Sequence, residues 1–467
     1  MTYQIKFGTD GWREIIGDTY TVDNVLRITQ AVAVWLKESN AAPKATVGFD
    51  CRFGGKMFAE YVARSLAKLG VTVYLDPHFV STPMISLANT ILKTDVGIII
   101  TASHNPPSYN GYKLKANYGG PVLPEDISKV ETLVNEHADR DLSALDEYVN
   151  VGKIVLSDFE KLYSDQIKNK FDLPKLQNFA EKLAYDAMYG AGQNLVKNLL
   201  PQATLLHCEH NPGFQGVAPE PILKNLGEFA ALIKNSPHIQ FGLATDGDAD
   251  RIGFFDSQGR FIDSHHLILL LTYYLVKYKK MSGKIVKSFS VSSKVDKLAQ
   301  HLGLETVTTK IGFKYICKHM VEDDVLIGAE ESGGIAIKGH IPERDGIWMG
   351  LTLMAYMADT GKSIEDLVQE MYNIVGAFAV ERYDLTLSEE KKQSIIQHCR
   401  NNNYQVFGSY KVQKVEDLDG YKFHLPNDEW VMIRPSGTEP VLRVYAESID
   451  SQHAFAILDA VKNAILS

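Results

Sequence analysis

One phrase recurs along this chain and limits what it can fold into. Short apolar runs, many of them β-branched, alternate with amphipathic stretches of helical length. Thr46–Asp50 reads as a strand, Lys56–Leu69 as a helix, Gly70 as its stop and Val71–Leu75 as the next strand. The phrase returns in Leu183–Ala187, Gln193–Leu200 and Thr204–Cys208, and again in Lys284–Ser290, Ser293–Leu302, Gly303 and Glu305–Thr308. Such alternation predicts mostly parallel sheets with helical crossovers. The spacing is not a fixed short period, so a solenoid is excluded. Three related α/β domains in tandem are the expectation.

Beyond about Ala377 the pattern changes. Glu381–Leu385, Val431–Arg434, Val441–Ala446 and a closing helix from Gln452 to Leu466 predict a smaller α+β domain. Charge and turn clusters place the expected boundaries at residues 1–145, 146–257, 258–376 and 377–467. A chain of 467 residues also exceeds what a single core can hold, roughly 250–300 residues.

Against that frame, four polar stretches stand out. Val96–Ile100 is a buried strand, and Thr101–Lys113 (TASHNPPSYNGYK) follows it. Its prolines and Asn-Gly pair predict a loop carrying Ser103, His104 and Lys113 out of the core. Thr245–Arg251 (TDGDADR) spaces Asp246, Asp248 and Asp250 so that they converge on one hard cation. An EF-hand needs glycine sixth and glutamate twelfth, and Arg251 and Ser257 stand there instead. Three protein oxygens leave room for a magnesium ion that also binds a phosphate oxygen. Phe241–Ala244 and Ile252–Phe255 put this triplet at the end of a buried strand.

Arg434–Pro440 (RPSGTEP) offers a guanidinium, hydroxyls and a glycine-loosened backbone suited to phosphate, with Arg443 close by. Gly328–Gly334 (GAEESGG) sets Glu330, Glu331 and Ser332 between glycines, a donor and acceptor set for sugar hydroxyls. Gly361-Lys362-Ser363 only imitates a P-loop: Tyr356 holds the required glycine position, and a helix precedes it.

Charge and cysteines narrow the class further. Forty-eight basic against 57 acidic side chains, a formal charge of −9, argue against nucleic-acid or anionic-membrane binding. Cys51, Cys208, Cys317 and Cys399 form no CxxC pair, as expected of free thiols in a reducing cytoplasm. No signal sequence is read at the start, and Leu267–Val276 is too short to cross a bilayer.

In this order, TASHNP, DGDADR, the GEESGG-like stretch and RPSGTEP resemble the α-D-phosphohexomutase family, and FGTDGWR (Phe7–Arg13) is similar to its N-terminal signature. The resemblance spans essentially the whole chain. It implies four domains around a central cleft, three related α/β domains and a smaller C-terminal α+β domain. It implies an isomerase that interconverts hexose 1- and 6-phosphates through a phosphoserine and a hexose 1,6-bisphosphate, which also serves as activator. Ser103 would carry the phosphate and bind Mg2+ with Asp246, Asp248 and Asp250. Arg13 and Lys113 would flank the reacting groups, with His104 supporting the loop. Arg251 and Lys287 would line the same site, and Glu330 and Ser332 would select the sugar. Arg434, Ser436, Gly437, Thr438 and Arg443 would hold the non-reacting phosphate.

Where some members read GHS, this chain reads Gly312-Phe313-Lys314, and its sugar loop reads EES rather than EMS or EQS. Both departures point to glucose phosphate. Mannose or glucosamine phosphate, a magnesium-dependent sugar phosphatase and a silent sugar-phosphate binder are the alternatives. The expected setting is a cytoplasmic monomer or homodimer acting on small hexose phosphates.

Overall fold

The computed structural model describes residues 3–435 and 441–467. The chain divides into two compact units, Met1–Ser264 with Gly312–Ile364, and His265–Ile311 with Glu365–Ser467.

The first unit opens with strands β1 (Trp12–Ile15), β2 (Lys44–Phe49), β3 (Thr72–Leu75), β4 (Val96–Ile100), β5 (Tyr109–Ala116) and β6 (Ile154–Leu156), ordered β1-β5-β4-β2-β3-β6. The strands β4, β2, β3 and β6 run parallel, so each connection must cross over the sheet. Helix α1 (Val22–Ser39) leads from β1 to β2, and α2 (Gly55–Lys68) and α3 (Thr82–Leu92) connect β2 to β3 and β3 to β4. Thr21 caps α1 by accepting the Asn24 N–H, and Ser81 caps α3 by accepting that of Met84. Every residue of β4 is buried, as a central strand covered on both faces requires.

A second sheet in this unit has β7 (Leu183–Asp186), β8 (Thr204–Leu206), β9 (Phe241–Thr245), β10 (Ile252–Asp256) and β11 (Phe261–Ile262), ordered β11-β10-β9-β7-β8. Here β8, β7 and β9 are parallel, and β10 returns antiparallel to β9. Strands Val325–Ala329 and Ile335–Ile337 pair antiparallel in the same unit, followed by a helix over Gly346–Thr360 that Asp345 caps. The three polar stretches of this unit occupy equivalent places. Residues 101–108 join β4 to β5, 246–251 join β9 to β10, and 330–334 join the third antiparallel pair.

In the second unit, Lys284–Ser288 and Thr306–Thr309 pair in parallel across the helix Lys294–Leu302, which stops at Gly303. Five further strands form an antiparallel sheet in the order Ala379–Thr386, Val441–Ser448, Trp430–Pro435, Tyr421–His424 and Lys414–Glu416, and Val406–Phe407 with Tyr410–Lys411 makes a separate two-stranded pair. Helices Glu389–Arg400 and Ser451–Leu466 contribute Ile395, Cys399, Ile457, Leu458 and Val461 to its core. This is the expected smaller α+β domain.

One local expectation is corrected. The loop after β4 ends at Ser108, and Asn110-Gly111 lies inside β5 rather than in a turn. A Cβ on Gly111 would stand 2.4 Å from the Thr101 carbonyl oxygen and 2.8 Å from that of Trp12. Glycine is there because backbones crowd it from both neighbouring strands. Lys113 therefore projects from a strand and not from the loop. Among the described residues, no helix is long and apolar enough to cross a membrane.

Candidate active site

Ser103 sits at the tip of the β4–β5 connection, buried, with φ 51°. That left-handed conformation is uncommon for a residue with a Cβ and persists only where surrounding contacts impose it. Its hydroxyl donates to Asp246 Oδ2 at 2.6 Å. The loop bearing Asp246 approaches so closely that a Cβ on Gly247 would fall 2.5 Å from the Ser103 carbonyl oxygen. Sequence-distant pieces thus meet: the serine and the aspartate triplet share one site.

One oxygen from each of Asp246, Asp248 and Asp250 lies within 4.8 Å of the others, and all three residues are buried. Asp248 Oδ1 and Asp250 Oδ1 have no hydrogen-bond partner among the described residues. Burial and the neighbouring charges of Asp250 and Asp248 push the Asp246 carboxyl well above its ordinary range. Oxygens from three carboxylates with unspent lone pairs fit a hard divalent cation such as magnesium. Asp248 is held from two further sides. Its Oδ2 accepts from Thr82 Oγ1 at 2.5 Å and from Lys113 Nζ at 2.7 Å.

Lys113 is fully buried and also meets Asp10 Oδ2 at 2.8 Å and Asp250 Oδ2 at 3.0 Å. Burial would lower its pKa, but Asp10, Asp248 and Asp250 outweigh that and hold it well above the ordinary lysine value. In this arrangement the ammonium is a fixed positive charge. Arg344 continues the network, reaching Asp250 Oδ2 at 2.8 Å, Asp10, and Glu330 Oε2 at 4.0 Å. Glu330 accepts the Gly312 N–H at 3.0 Å, and burial pushes its carboxyl up to about 7 against the pull of Arg344. Ser332 lies two residues on, half-buried in the same turn.

Arg13 donates to Asn105 Oδ1 at 2.8 Å, and its charge lies with that of Asp10 at 3.9 Å. His104 Nδ1 is 3.3 Å from Ser103 Oγ, and its Nε2 is 3.4 Å from Arg251 Nη2. Burial, then the charges of Arg251 and Arg13, hold the imidazole well below its usual pKa and favour its neutral form. Arg251 is tied to the triplet by its own N–H, which donates to Asp246 Oδ1 at 2.9 Å. The structure therefore brings together Arg13, Ser103, His104, Lys113, Asp246, Asp248, Asp250, Arg251 and Glu330. Sequence reasoning gave no role to Asp10, Arg52, Thr82 or Arg344, all of which touch this group, or to Asp50, which reaches Ser103 through Thr101.

The other expected residues belong to the second unit. Lys287 Nζ donates to Asp296 Oδ2 at 2.7 Å and to the Ser292 carbonyl at 3.2 Å. Arg434 and Arg443 are direct cross-strand partners in the antiparallel sheet. Like charges opposed in this way repel, although Asp419 lies 3.3 Å from Arg434 Nε and Asp384 3.7 Å from Arg443 Nε. Ser436, Gly437 and Thr438 lie outside the described residues.

A buried hydroxyl against a carboxylate triplet, ringed by fixed cations, is the equipment of a phosphoryl-transfer enzyme. Comparison with known proteins specifies which. The chain belongs to the phosphoglucomutase/phosphomannomutase family of isomerases, the α-D-phosphohexomutases. The family's alpha/beta/alpha domains I, II and III match residues 4–141, 161–259 and 263–375, and its C-terminal domain matches 401–464. A phosphoglucosamine mutase from Methanococcus vannielii is 30% identical over 430 residues, covering 91% of this chain and 93% of that protein. A phosphoglucomutase/phosphomannomutase from Thermococcus kodakarensis is 29% identical over 459 residues, covering 97% and 96%. Among solved structures, a candidate phosphomannomutase from Thermus thermophilus superposes with a TM-score of 0.88 at 32% identity, covering 100% of both chains.

Proposed function

We propose that this phosphohexomutase carries its transferable phosphate on Ser103 and acts on the 1- and 6-phosphates of an amino hexose, glucosamine phosphate first. The observation that carries the reading is the 2.6 Å contact of Ser103 Oγ with Asp246 inside the buried triplet. Phosphoserine brings about −1.5 to −2 charges at neutral pH. A sugar phosphate brings a second anion, so transfer needs opposing charge fixed in advance. Magnesium held by Asp246, Asp248 and Asp250 with the Ser103 phosphate would supply such charge. Lys113 and Arg344 supply it from the protein, and Arg13 and Arg251 stand on the Ser103 side.

The sugar hydroxyl attacks the phosphorus of phospho-Ser103. Its O–P bond forms as the serine O–P bond breaks, and the proton lost by the sugar hydroxyl is balanced by one gained at the serine oxygen, leaving free Ser103 and a hexose 1,6-bisphosphate. After the bisphosphate turns end for end, its other phosphate returns to Ser103. Added 1,6-bisphosphate would recharge any enzyme that has lost its phosphate. Arg434 and Arg443, opposed across their strands, would grip the phosphate that is not reacting.

Two observations support the amino sugar. Several relatives spanning almost the whole chain are phosphoglucosamine mutases by description, including the Methanococcus protein and a phosphoglucosamine/phosphogalactosamine mutase from Sulfurisphaera tokodaii. The sugar loop also carries Glu331 directly after Glu330, a second acidic side chain that would complement an ammonium. Glucose phosphate, expected from the Gly312-Phe313-Lys314 and EES departures, is the second reading, and the Thermococcus relative favours it.

The test is a parallel assay of glucosamine, glucose and mannose 1-phosphates, each with its 1,6-bisphosphate and magnesium. Glucosamine should give the highest kcat/KM. A higher value for glucose would install the second reading. Inorganic phosphate released in step with product would replace the mutase by a phosphatase.

A further inference from the structure

We infer that Arg52 is the positioning residue for Ser103, acting with Asp50 from the end of β2 and resting on the reading of Ser103 as phosphate carrier. The Arg52 side chain is wholly buried, and its donors converge on the serine loop. Nη2 donates to the carbonyl oxygens of Ser103 and Asn105, both at 2.6 Å, and Nη1 to those of Pro106 at 2.9 Å and Tyr109 at 3.0 Å. One planar fork thus holds three carbonyls of the loop and that of Tyr109, the first residue of β5. Lysine, with a compact ammonium and no fixed fork, cannot reproduce that geometry.

The other side of Ser103 is held from the same place. Asp50 Oδ2 accepts from Thr101 Oγ1 at 2.5 Å, and Thr101 Oγ1 accepts the Ser103 N–H at 2.9 Å. Asp50 Oδ1 also accepts the Arg52 N–H at 2.9 Å. Both peptide groups flanking Ser103 are therefore fixed by residues 50–52, one through Thr101 and one directly. This accounts for the left-handed backbone at Ser103, which a free loop would relax. The clamp also orients Asn105, whose side chain receives Arg13. The Phe214 ring, 5.1 Å from the guanidinium carbon, covers the clamp with a cation–π contact.

A misplacement of the order of 1 Å can cost roughly 10²-fold in rate while leaving the fold intact. Arg52→Lys, Arg52→Ala and Thr101→Val should be compared with the wild-type chain for kcat, KM, thermal midpoint and phosphoserine content after incubation with hexose 1,6-bisphosphate. Arg52→Lys should lose about 10²-fold in kcat with KM little changed. Millimolar guanidinium should restore part of the Arg52→Ala loss and nothing to Ser103→Ala. Thr101→Val, which keeps Arg52, should lose less than Arg52→Lys.

A folded Arg52→Lys with wild-type kcat would overturn the inference, as would a folded Arg52→Ala that guanidinium does not help. Should Arg52→Ala fail to fold, Arg52→Lys and Thr101→Val decide it. Wild-type protein that takes no phosphate at Ser103 would remove the carrier reading itself, a result distinct from either.

Discussion

Ser103 Oγ donates to Asp246 Oδ2 across 2.6 Å, although 143 residues separate the two in sequence. The contact closes one loop at the end of β4 onto another at the end of β9. Both loops leave a buried parallel strand and return antiparallel, so each is anchored at both ends by a core. Two rigid elements aimed at one point hold a reacting hydroxyl better than a single long loop could.

Ser103→Ala should therefore abolish turnover, by about 10⁴-fold or more, the scale expected on losing a nucleophile. The protein should stay folded, because one hydroxyl is removed from a loop whose backbone is held by other residues. Intact mass after incubation with a hexose 1,6-bisphosphate should show one added phosphoryl group in wild-type protein and none in the variant. Residual phosphorylation or activity near wild type would dismiss Ser103 as carrier.

The crowding of three buried carboxylates predicts a metal effect on stability as well as on rate. A cation that binds only the folded state raises its stability by about 2.7 kcal/mol when present at 100 times its dissociation constant. Magnesium should raise the thermal midpoint of wild-type protein by several degrees, and EDTA should reverse the gain. Asp246→Asn removes one charge of the triplet and should lose most of the rise, together with activity. A wild-type midpoint indifferent to magnesium would remove the metal assignment.

Much of this was legible in the chain. The strand–helix phrase specified parallel sheets, and the apolar runs beside TASHNP and DGDADR put both loops at strand ends. Features that depend on tertiary closeness were not legible. Arg344 reaches Asp10 across 334 residues, and nothing local to either marks the other as its partner. Arg52 reads as an ordinary residue after a strand until its four carbonyl partners are known. Asn110-Gly111 misled for a different reason. The pair signals a turn when glycine is needed for φ > 0, whereas here it admits two neighbouring backbones.

Gly247 offers a stringent test of how closely the two loops must approach. A methyl there would meet the Ser103 carbonyl oxygen at 2.5 Å and Pro219 Cγ at 3.1 Å, so neither side yields easily. Gly247→Ala should push the aspartate loop away from Ser103 and lower kcat by roughly 10²-fold. The global fold should survive, since the contact involves loops and not the sheet core. Circular dichroism and kcat measured on one preparation check this, and unchanged kcat would mean that the loops tolerate separation.

Lys422, in the second unit, predicts a pH dependence of stability away from the site. It is buried, donates to the Phe289 carbonyl, and packs 4.3 Å from the Trp430 ring centre and 4.6 Å from that of Phe289. Burial, helped by the charge of Lys287, lowers its pKa from 10.5 to about 7. The unfolded chain therefore binds a proton that the folded chain does not between about pH 7 and pH 10.5. Stability from this group rises with pH across that window, and below it the full cost of burying the charge applies. Lys422→Met keeps the apolar stem and removes the titration. Relative to wild type, the variant's thermal midpoint should be higher at pH 6.5 than at pH 9.5, whatever constant offset the lost bond to Phe289 introduces. A difference that does not change with pH would mean that Lys422 stays charged in the folded protein.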